Sequence, residues 1–597
     1  MVTCMTTENI NEKKHNKHIH IEYKWSKERQ EQILQLSFQM VRTSDSTRIQ
    51  TLASKYCTCY EQSTIEERKL LIKLLAHTRD IEEGKGEYAL SIAIIKELMK
   101  HEHHKKICIA LMCSFVGFDN NNHNNTDNTN NNNNNKPLGS WKDMKYLFNQ
   151  LQSCPLELVN IINAQIDIDM RNRANNRPCS LVAKWIPREK SKKFGWIHKH
   201  LAMNYFSFNK KKAQTCYRRV VSCLNKYIDT VQIKQCGHDW KSIDFDKVTS
   251  ITMMKQRRAF LNINSIRVNN TDDDAENENE NENDNNEDDR RICSDNLVDY
   301  INQVKKGEKE INGHKISMVD FVKAAISLQD NAGNTNNTNN TKNTNNTNNT
   351  NTPHERDIIN ETWKSNSMTT HSLKNMIAMV DTSSSMEAEN SMPLYTAIGL
   401  GIRVAEKSIL GKRVMTFNKN PSWINLEHCD DFVDEVSMIT KSGWGMNTNF
   451  YKAMLLILEQ IRLNKIPAEE VEDLVLVVLS GMQFEPLEIG IGETSCCKPY
   501  DETVKQILTK KFHEVGTEIC GRGYKVPHIL FWNLKNTCGF PEVSYQPNVT
   551  MFSGYSPSLL NKFAKKDTPC EDDITPWRML MTMLNNKRYK HLEEIVE

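Results

Sequence analysis

Apolar residues recur three and four positions apart through the first half of the chain and give way to short unbroken apolar runs in the last third. From about Glu28 to Asp330 the spacing predicts helices, as in Glu67-Arg-Lys-Leu-Leu-Ile-Lys-Leu-Leu-Ala76, Tyr88 to Met99 and Leu297 to Val304. Val/Ile-rich alternation is scarce there, so this half reads as an all-α domain of stacked helical hairpins, solenoid-like but without a strict repeat period. After Thr352 the runs Met376-Ile-Ala-Met-Val380, Asp473-Leu-Val-Leu-Val-Val-Leu479, His528-Ile-Leu-Phe-Trp-Asn533 and Val549-Thr-Met-Phe552 suit parallel strands covered on both faces. Helix-length amphipathic segments lie between them: Leu394 to Ser408, Phe450 to Leu463 and Glu502 to Val515. Strand alternating with helix predicts a doubly wound α/β domain, whose ligand site lies off the carboxyl ends of the strands.

Three tracts lack the apolar surface to offset chain entropy: Asp119 to Lys136, mostly Asn; Asn269 to Asp289, Asn with 11 acids and no base; and Asn331 to Thr352, Asn/Thr repeats. These define the expected organisation: a flexible N-terminus over 1–27, an all-α domain over 28–330 with insertions at 119–136 and 269–289, a linker over 331–371, and an α/β domain with C-terminal helices over 372–597. At 597 residues the chain exceeds one hydrophobic core. Its 77 Lys and Arg balance 75 Asp and Glu, so only local charge informs on partners. The 17 cysteines include no CxxC, which argues against a zinc ribbon or thioredoxin-like site, and no apolar run reaches signal or membrane-span length. These features point to a cytoplasmic protein without membrane contact, its thiols serving as small buried hydrophobes.

The loop after the first strand reads Asp381-Thr-Ser383-Ser-Ser385. One carboxylate and two hydroxyls there offer oxygen-only ligation, suited to Mg2+ or Mn2+; equally, such hydroxyls serve as helix caps. The DxSxS loop and the order of elements resemble a von Willebrand factor A domain with a metal-ion-dependent adhesion site. That resemblance implies metal ligation by Asp381, Ser383, Ser385 and Thr448 of Gly443-Trp-Gly-Met-Asn-Thr448, and a surface for a protein partner. A third loop of that family supplies an Asp where this chain has Gly481, in Leu479-Ser480-Gly481; Glu485 is offset by four residues. Phe531-Trp-Asn-Leu534 with Phe540-Pro, and Met551-Phe-Ser-Gly-Tyr-Ser-Pro557, resemble the later strands of the A domains of Ro/TROVE proteins and of the DUF 2828 family. Arg79-Asp80-Ile-Glu-Glu-Gly84-Lys85-Gly86-Glu87, Gly139-Ser-Trp141-Lys142-Asp143 and Leu181-Val-Ala-Lys184-Trp185-Ile-Pro187 resemble DUF 2828 signature blocks. Membership implies a TROVE-like helical domain followed by an A-like domain.

Between Lys184 and Arg219 stand eleven bases, Lys184, Arg188, Lys190, Lys192, Lys193, Lys199, Lys210, Lys211, Lys212, Arg218 and Arg219, against the single acid Glu189. Trp185, Phe194, Trp196, Tyr205, Phe206, Phe208 and Tyr217 are interleaved with them. Cations that neutralise phosphates and aromatics that stack on unpaired bases describe an RNA surface; the same aromatics packed inward describe a core with a solvated basic face. No P-loop, HExxH, GxSxG or Rossmann glycine pattern occurs, and Gly84-Lys-Gly86 follows a helix rather than a strand. The sequence therefore predicts a non-catalytic, RNA-associated binding protein, or alternatively a protein-interaction scaffold that does not bind RNA.

Overall fold

The computed structural model describes residues 17–18, 23–118, 136–263, 280–334, 352–373, 375–443, 445, 449–482, 487–488, 504–535, 537, 539–564 and 574–596. Most of the Asn-rich insertion at 119–136 lies outside the described residues. In the C-terminal region six strands form one mixed sheet: β1 (Met376–Asp381), β2 (Arg413–Phe417), β3 (Ser422–Asn425), β4 (Val475–Ser480), β5 (His528–Asn533) and β6 (Val549–Ser553). Their order is β3-β2-β1-β4-β5-β6, parallel throughout except for the antiparallel edge strand β3. All of β5 and β6 is buried, and β1 and β4 each have a single partly exposed residue. Burial on both faces is why these strands read as continuous apolar runs. Gly401, in the helix Ala388–Lys407, admits that helix against β1; a Cβ there would lie 2.5 Å from Val380 Cγ2.

The N-terminal region is helical, as expected: α1 (Arg29–Gln39), α2 (Ser46–Glu61), α3 (Ile65–Arg79), α4 (Tyr88–Leu98), α5 (Lys105–Val116), α6 (Lys142–Leu151), α7 (Leu156–Ala174), α8 (Val182–Trp185), α9 (Gly195–Tyr205), α10 (Lys210–Ile228), α11 (Val231–Cys236), α12 (Ser250–Phe260), α13 (Glu280–Lys305) and α14 (Met318–Asn334). Local signals set their starts. Asp45 caps α2 through the amides of Thr47 and Arg48, and Thr64 with Glu67 makes a reciprocal capping box on α3.

Three sequence expectations are corrected here. Residues 352–367, assigned to the linker, form helix α15 (Thr352–Ser367). Its Trp363 stacks on Phe432 at 3.9 Å, Arg403 lies over the same indole at 4.4 Å, and Arg356 makes a two-point bond to Asp431, each arm 2.8 Å. Residues 280–289 of the acidic insertion form the first turns of α13, where Asp289 is buried and accepts from the amides of Trp240 (2.6 Å) and Lys241 (3.2 Å). Within the expected flexible N-terminus, Tyr23 exchanges backbone hydrogen bonds with Phe540, at 2.9 and 3.0 Å.

The two regions share one hydrophobic core. A single apolar cluster runs from Ile33 of α1 through the sheet to Leu592, and a satellite cluster joins α12, α13 and Ile358 of α15. Contacts between the regions concentrate at the turn after α3. Asp80, fully buried, receives both Arg588 nitrogens at 2.9 Å and the Tyr589 hydroxyl at 2.9 Å. Arg79 pairs with Asp143 at 2.7 Å, so the blocks Arg79–Glu87 and Gly139–Asp143 meet; a Cβ on Gly139 would fall 2.3 Å from the Asp143 carboxylate. Lys85, buried, donates to the carbonyls of Ser37 and Met40 at the end of α1 and to the Ser553 hydroxyl at the end of β6, the last at 2.7 Å. Glu87 holds Arg42 at 2.9 Å. Gly84 lets this turn close on α3, since a Cβ would sit 2.0 Å from the His77 carbonyl.

Removing one partner of a buried ion pair leaves the other uncompensated, so Asp80→Ala should cost about 3–5 kcal/mol in urea unfolding. A loss no larger than that of an exposed-site substitution would contradict the arrangement. Acid should act through two buried imidazoles. Burial, with Lys85 and Lys562 nearby, pushes His77 down to about 3, and burial pushes His528 down to about 4. Their folded values lie below the unfolded 6.5, so the unfolded chain binds the extra protons and stability falls as pH drops through 6.5. While both imidazoles titrate only in the unfolded state the slope approaches roughly 3 kcal/mol per pH unit. His528→Gln, measured by unfolding midpoint against pH, should flatten that slope.

Candidate functional site

Two features stand out: the loop at the carboxyl end of β1, and a basic, aromatic surface on the helical region. At the first, Asp381 ends the central strand and is fully buried. One carboxylate oxygen accepts from the Ser383 amide at 2.9 Å and the other from the Ser480 hydroxyl at 2.6 Å. Burial pushes its carboxyl above the usual carboxylate range, while the hydrogen bonds from Ser480, Ser383 and the Gly481 amide oppose that shift. Ser383 and Ser385 share a hydroxyl hydrogen bond of 3.0 Å. The loop is braced by Gly445, whose carbonyl accepts from the Ser384 amide at 3.1 Å. Next to it, Glu389, Asn390 and Ser391 run in the left-handed region, with φ of 55°, 60° and 58°. Glu389 is anchored on the helical region by the Thr43 hydroxyl at 2.6 Å and the Ser44 amide at 3.0 Å.

The structure thus brings Asp381, Ser383 and Ser385 together, while Thr448 and Glu485 lie outside the described residues. Among the described residues Asp381 is the sole carboxylate of this cradle, no group of three His, Cys, Asp or Glu is placed to hold a metal ion, and both Asp381 oxygens already accept hydrogen bonds. This donor set does not fit Mg2+ or Mn2+ well, both of which favour several oxygen ligands around the ion. Lys535, from the loop after β5, reaches across to donate to the Ser385 carbonyl at 3.1 Å.

The second feature is partly as the spacing predicted. Arg188, Lys190, Lys192, Lys193, Lys210, Lys211, Lys212, Arg218 and Arg219 are exposed, and Lys184 and Lys199 are half-buried. Glu189, the one acid of the run, is neutralised by Arg218 at 3.0 Å. The aromatics divide. Tyr217 is core, its hydroxyl bonded to Asn163 at 3.0 Å. Phe208 is exposed, stacked with Phe206 at 5.4 Å and covered by the Lys212 ammonium at 4.5 Å. Trp185 and Phe194 are half-buried and belong to a cluster that the run did not reveal, because its other members come from α6 and α4. Lys142 lies 5.2 Å over Tyr88, 5.1 Å over Tyr146 and 5.7 Å over Trp185. Lys145 lies 5.2 Å over Trp185 and 5.1 Å over Phe194, and Lys193 lies 5.4 Å over Phe194. Burial and the Lys142 charge push Lys145 below the usual lysine range, and burial does the same to Lys184. Among the described residues no carboxylate lies within ion-pair distance of Lys142, Lys145, Lys184 or Lys193. Cations held together on aromatic faces give this surface a local positive charge.

Residues 375–593 match the sequence model of a family described as Domain of unknown function (DUF7788). Over 555 residues the chain is 23% identical to Uncharacterized protein L728 of Acanthamoeba polyphaga mimivirus, an alignment covering 89% of this chain and 81% of the relative. The likeness to that viral protein therefore spans both the helical region and the sheet. The family match supports a domain-of-unknown-function assignment for the C-terminal region, without singling out DUF 2828.

Asp381→Ala would strand the Ser480 hydroxyl and the Ser383 amide, both buried, at a cost of roughly 1–3 kcal/mol for each unsatisfied group. Unfolding by urea should show a loss in that range; an unchanged midpoint would mean that the carboxylate does not organise this loop.

Proposed function

We propose that this protein is a non-catalytic, RNA-associated binding protein, in which the helical region grips single-stranded or structured RNA and the sheet region serves a protein partner. The observation that carries the reading is the unpaired cluster of Lys142, Lys145 and Lys193 on Tyr88, Tyr146, Trp185 and Phe194. Lysines neutralise phosphates and release counterions, while half-exposed rings offer faces on which unpaired bases stack without regard to sequence. Lys210, Lys211, Lys212 and Phe208, at the start of α10, offer a second patch with the same two kinds of group. The likeness of the sequence to DUF 2828 and Ro/TROVE proteins, and of the sheet region to von Willebrand factor A domains, agrees with this division of roles. Burial pushes the thiols of Cys57, Cys108, Cys154 and Cys293 up to about 12, so these four stay protonated at neutral pH and serve as packing groups. Among the described residues no helix is long and apolar enough to cross a membrane.

The test is binding of a fluorescent single-stranded RNA, read by anisotropy against salt, together with crosslinking and sequencing of RNA bound in cells. Lys142→Glu/Lys145→Glu and Lys210→Glu/Lys211→Glu/Lys212→Glu should each weaken binding at least tenfold and lower the slope of log affinity on log salt by about 0.7 for every phosphate no longer neutralised. Trp185→Ala should weaken binding at every salt concentration, with little change of slope. Wild-type protein that captures no RNA above background overturns the reading in favour of a protein scaffold.

A further inference from the structure

Gly481 stands at the carboxyl end of β4, beside Asp381, at the position where an adhesion-type site would carry an acid. Nothing in its backbone calls for glycine: Gly481 is absent from the positive-φ residues, while its neighbour Met482 adopts φ 58°. The space where its side chain would stand is bordered closely by Lys535 and Met386. A Cβ on Gly481 would lie 3.3 Å from Lys535 Cδ, 3.4 Å from Lys535 Cβ and 3.5 Å from Met386 Sδ. The stem of Lys535 therefore runs through the gap left by the missing acid, and its ammonium reaches the DxSxS loop, where it donates to the Ser385 carbonyl at 3.1 Å.

We infer that Lys535 is the resident cation of this site, a tethered ammonium that takes the electrostatic place of a divalent ion and makes the loop independent of metal. Three observations converge on this. The missing side chain and the inserted stem are complementary in shape. The ammonium is bonded to the same loop whose hydroxyls would ligate an ion. Among the described residues no carboxylate lies within ion-pair distance of Lys535, so the buried Asp381 and the rim residue Glu389 are the negative charges it serves. A divalent ion added to this arrangement would meet one carboxylate, already hydrogen-bonded, and a repelling ammonium. A side chain at position 481 would press on the lysine stem, which would have to give by a few tenths of an ångström to admit its Cβ. The inference is independent of RNA binding and stands or falls on the sheet region alone.

The experiment uses the full chain and Mn2+ as the probe, with bound metal counted after gel filtration and thermal unfolding followed with Mn2+, Mg2+ or chelator. Wild type should retain no Mn2+ and melt at the same temperature in all three. Gly481→Asp/Lys535→Ala should retain about one Mn2+ per chain and melt higher in its presence, because a ligand bound only by the folded state stabilises it. Stoichiometric Mn2+ on wild type overturns the inference, and so does a double variant that is folded by circular dichroism yet stays metal-free. Should the double variant fail to fold, Lys535 alone decides: Lys535→Met, which keeps the stem and loses the charge, should melt below wild type with or without Mn2+ while Lys535→Arg restores the melting temperature, whereas Lys535→Met melting with wild type overturns the inference.

Discussion

Contacts between distant parts of this molecule converge on three titratable groups buried in the turn between α3 and α4, of which Lys85 is pushed by burial down to about 7. Asp80, Lys85 and Glu87 lie within eight residues, and each holds a different part of the chain: the C-terminal Arg588 and Tyr589, the ends of α1 and β6, and Arg42. Leaving a buried charge without its partner is costly, so these contacts favour the geometry in which each group meets the part of the chain it holds. Lys85 is the clearest case. Its acceptors are two carbonyls at the carboxyl end of a helix, where the helix dipole favours a cation, and one hydroxyl at the end of a strand. Together they tie the end of α1 to the end of β6.

That placement determines what each surface can do. The helical region lies over the carboxyl edge of the sheet, with Thr43 and Ser44 holding Glu389 beside the DxSxS loop. The rim therefore contains groups from both regions, and its charge balance is set internally by Asp381, Glu389 and Lys535. Through Arg79 and Asp143 the same turn orients α6, whose Lys142 and Lys145 complete the basic cluster around Trp185. The RNA surface proposed for the helical region and the rim of the sheet are thus parts of one framework.

The sheet was legible in the sequence because strands buried on both faces must be apolar at every position, as in His528–Asn533 and Val549–Ser553. The helical region was legible for the complementary reason, a one-sided apolar stripe. Helix α15 was not, because it emerges from an Asn/Thr tract and its buried face is largely polar: beside Ile358, Ile359 and Trp363 it buries Glu355, Asn360, Thr362, Asn366 and Ser367. The first turns of α13 were hidden by their acids. At the candidate sites the local signals were visible and the distant ones were not. Asp381, Ser383, Ser385 and the missing acid at Gly481 could be read directly, but Lys535 lies 54 positions after Gly481 and only folding brings it there. Likewise the run from Lys184 to Arg219 pointed to the basic surface, while Lys142, Lys145 and Tyr88 join it through tertiary packing alone. Tyr217 shows the converse, a residue inside the run that belongs to the core.

The central claim is that the helical and sheet regions are a single cooperative body fastened by buried charge at residues 79–87. Differential scanning calorimetry of the full chain addresses it directly. One transition whose calorimetric and van't Hoff enthalpies agree is the predicted result. Two resolved transitions, or a calorimetric enthalpy well above the van't Hoff value, would show that the regions unfold separately and would contradict it.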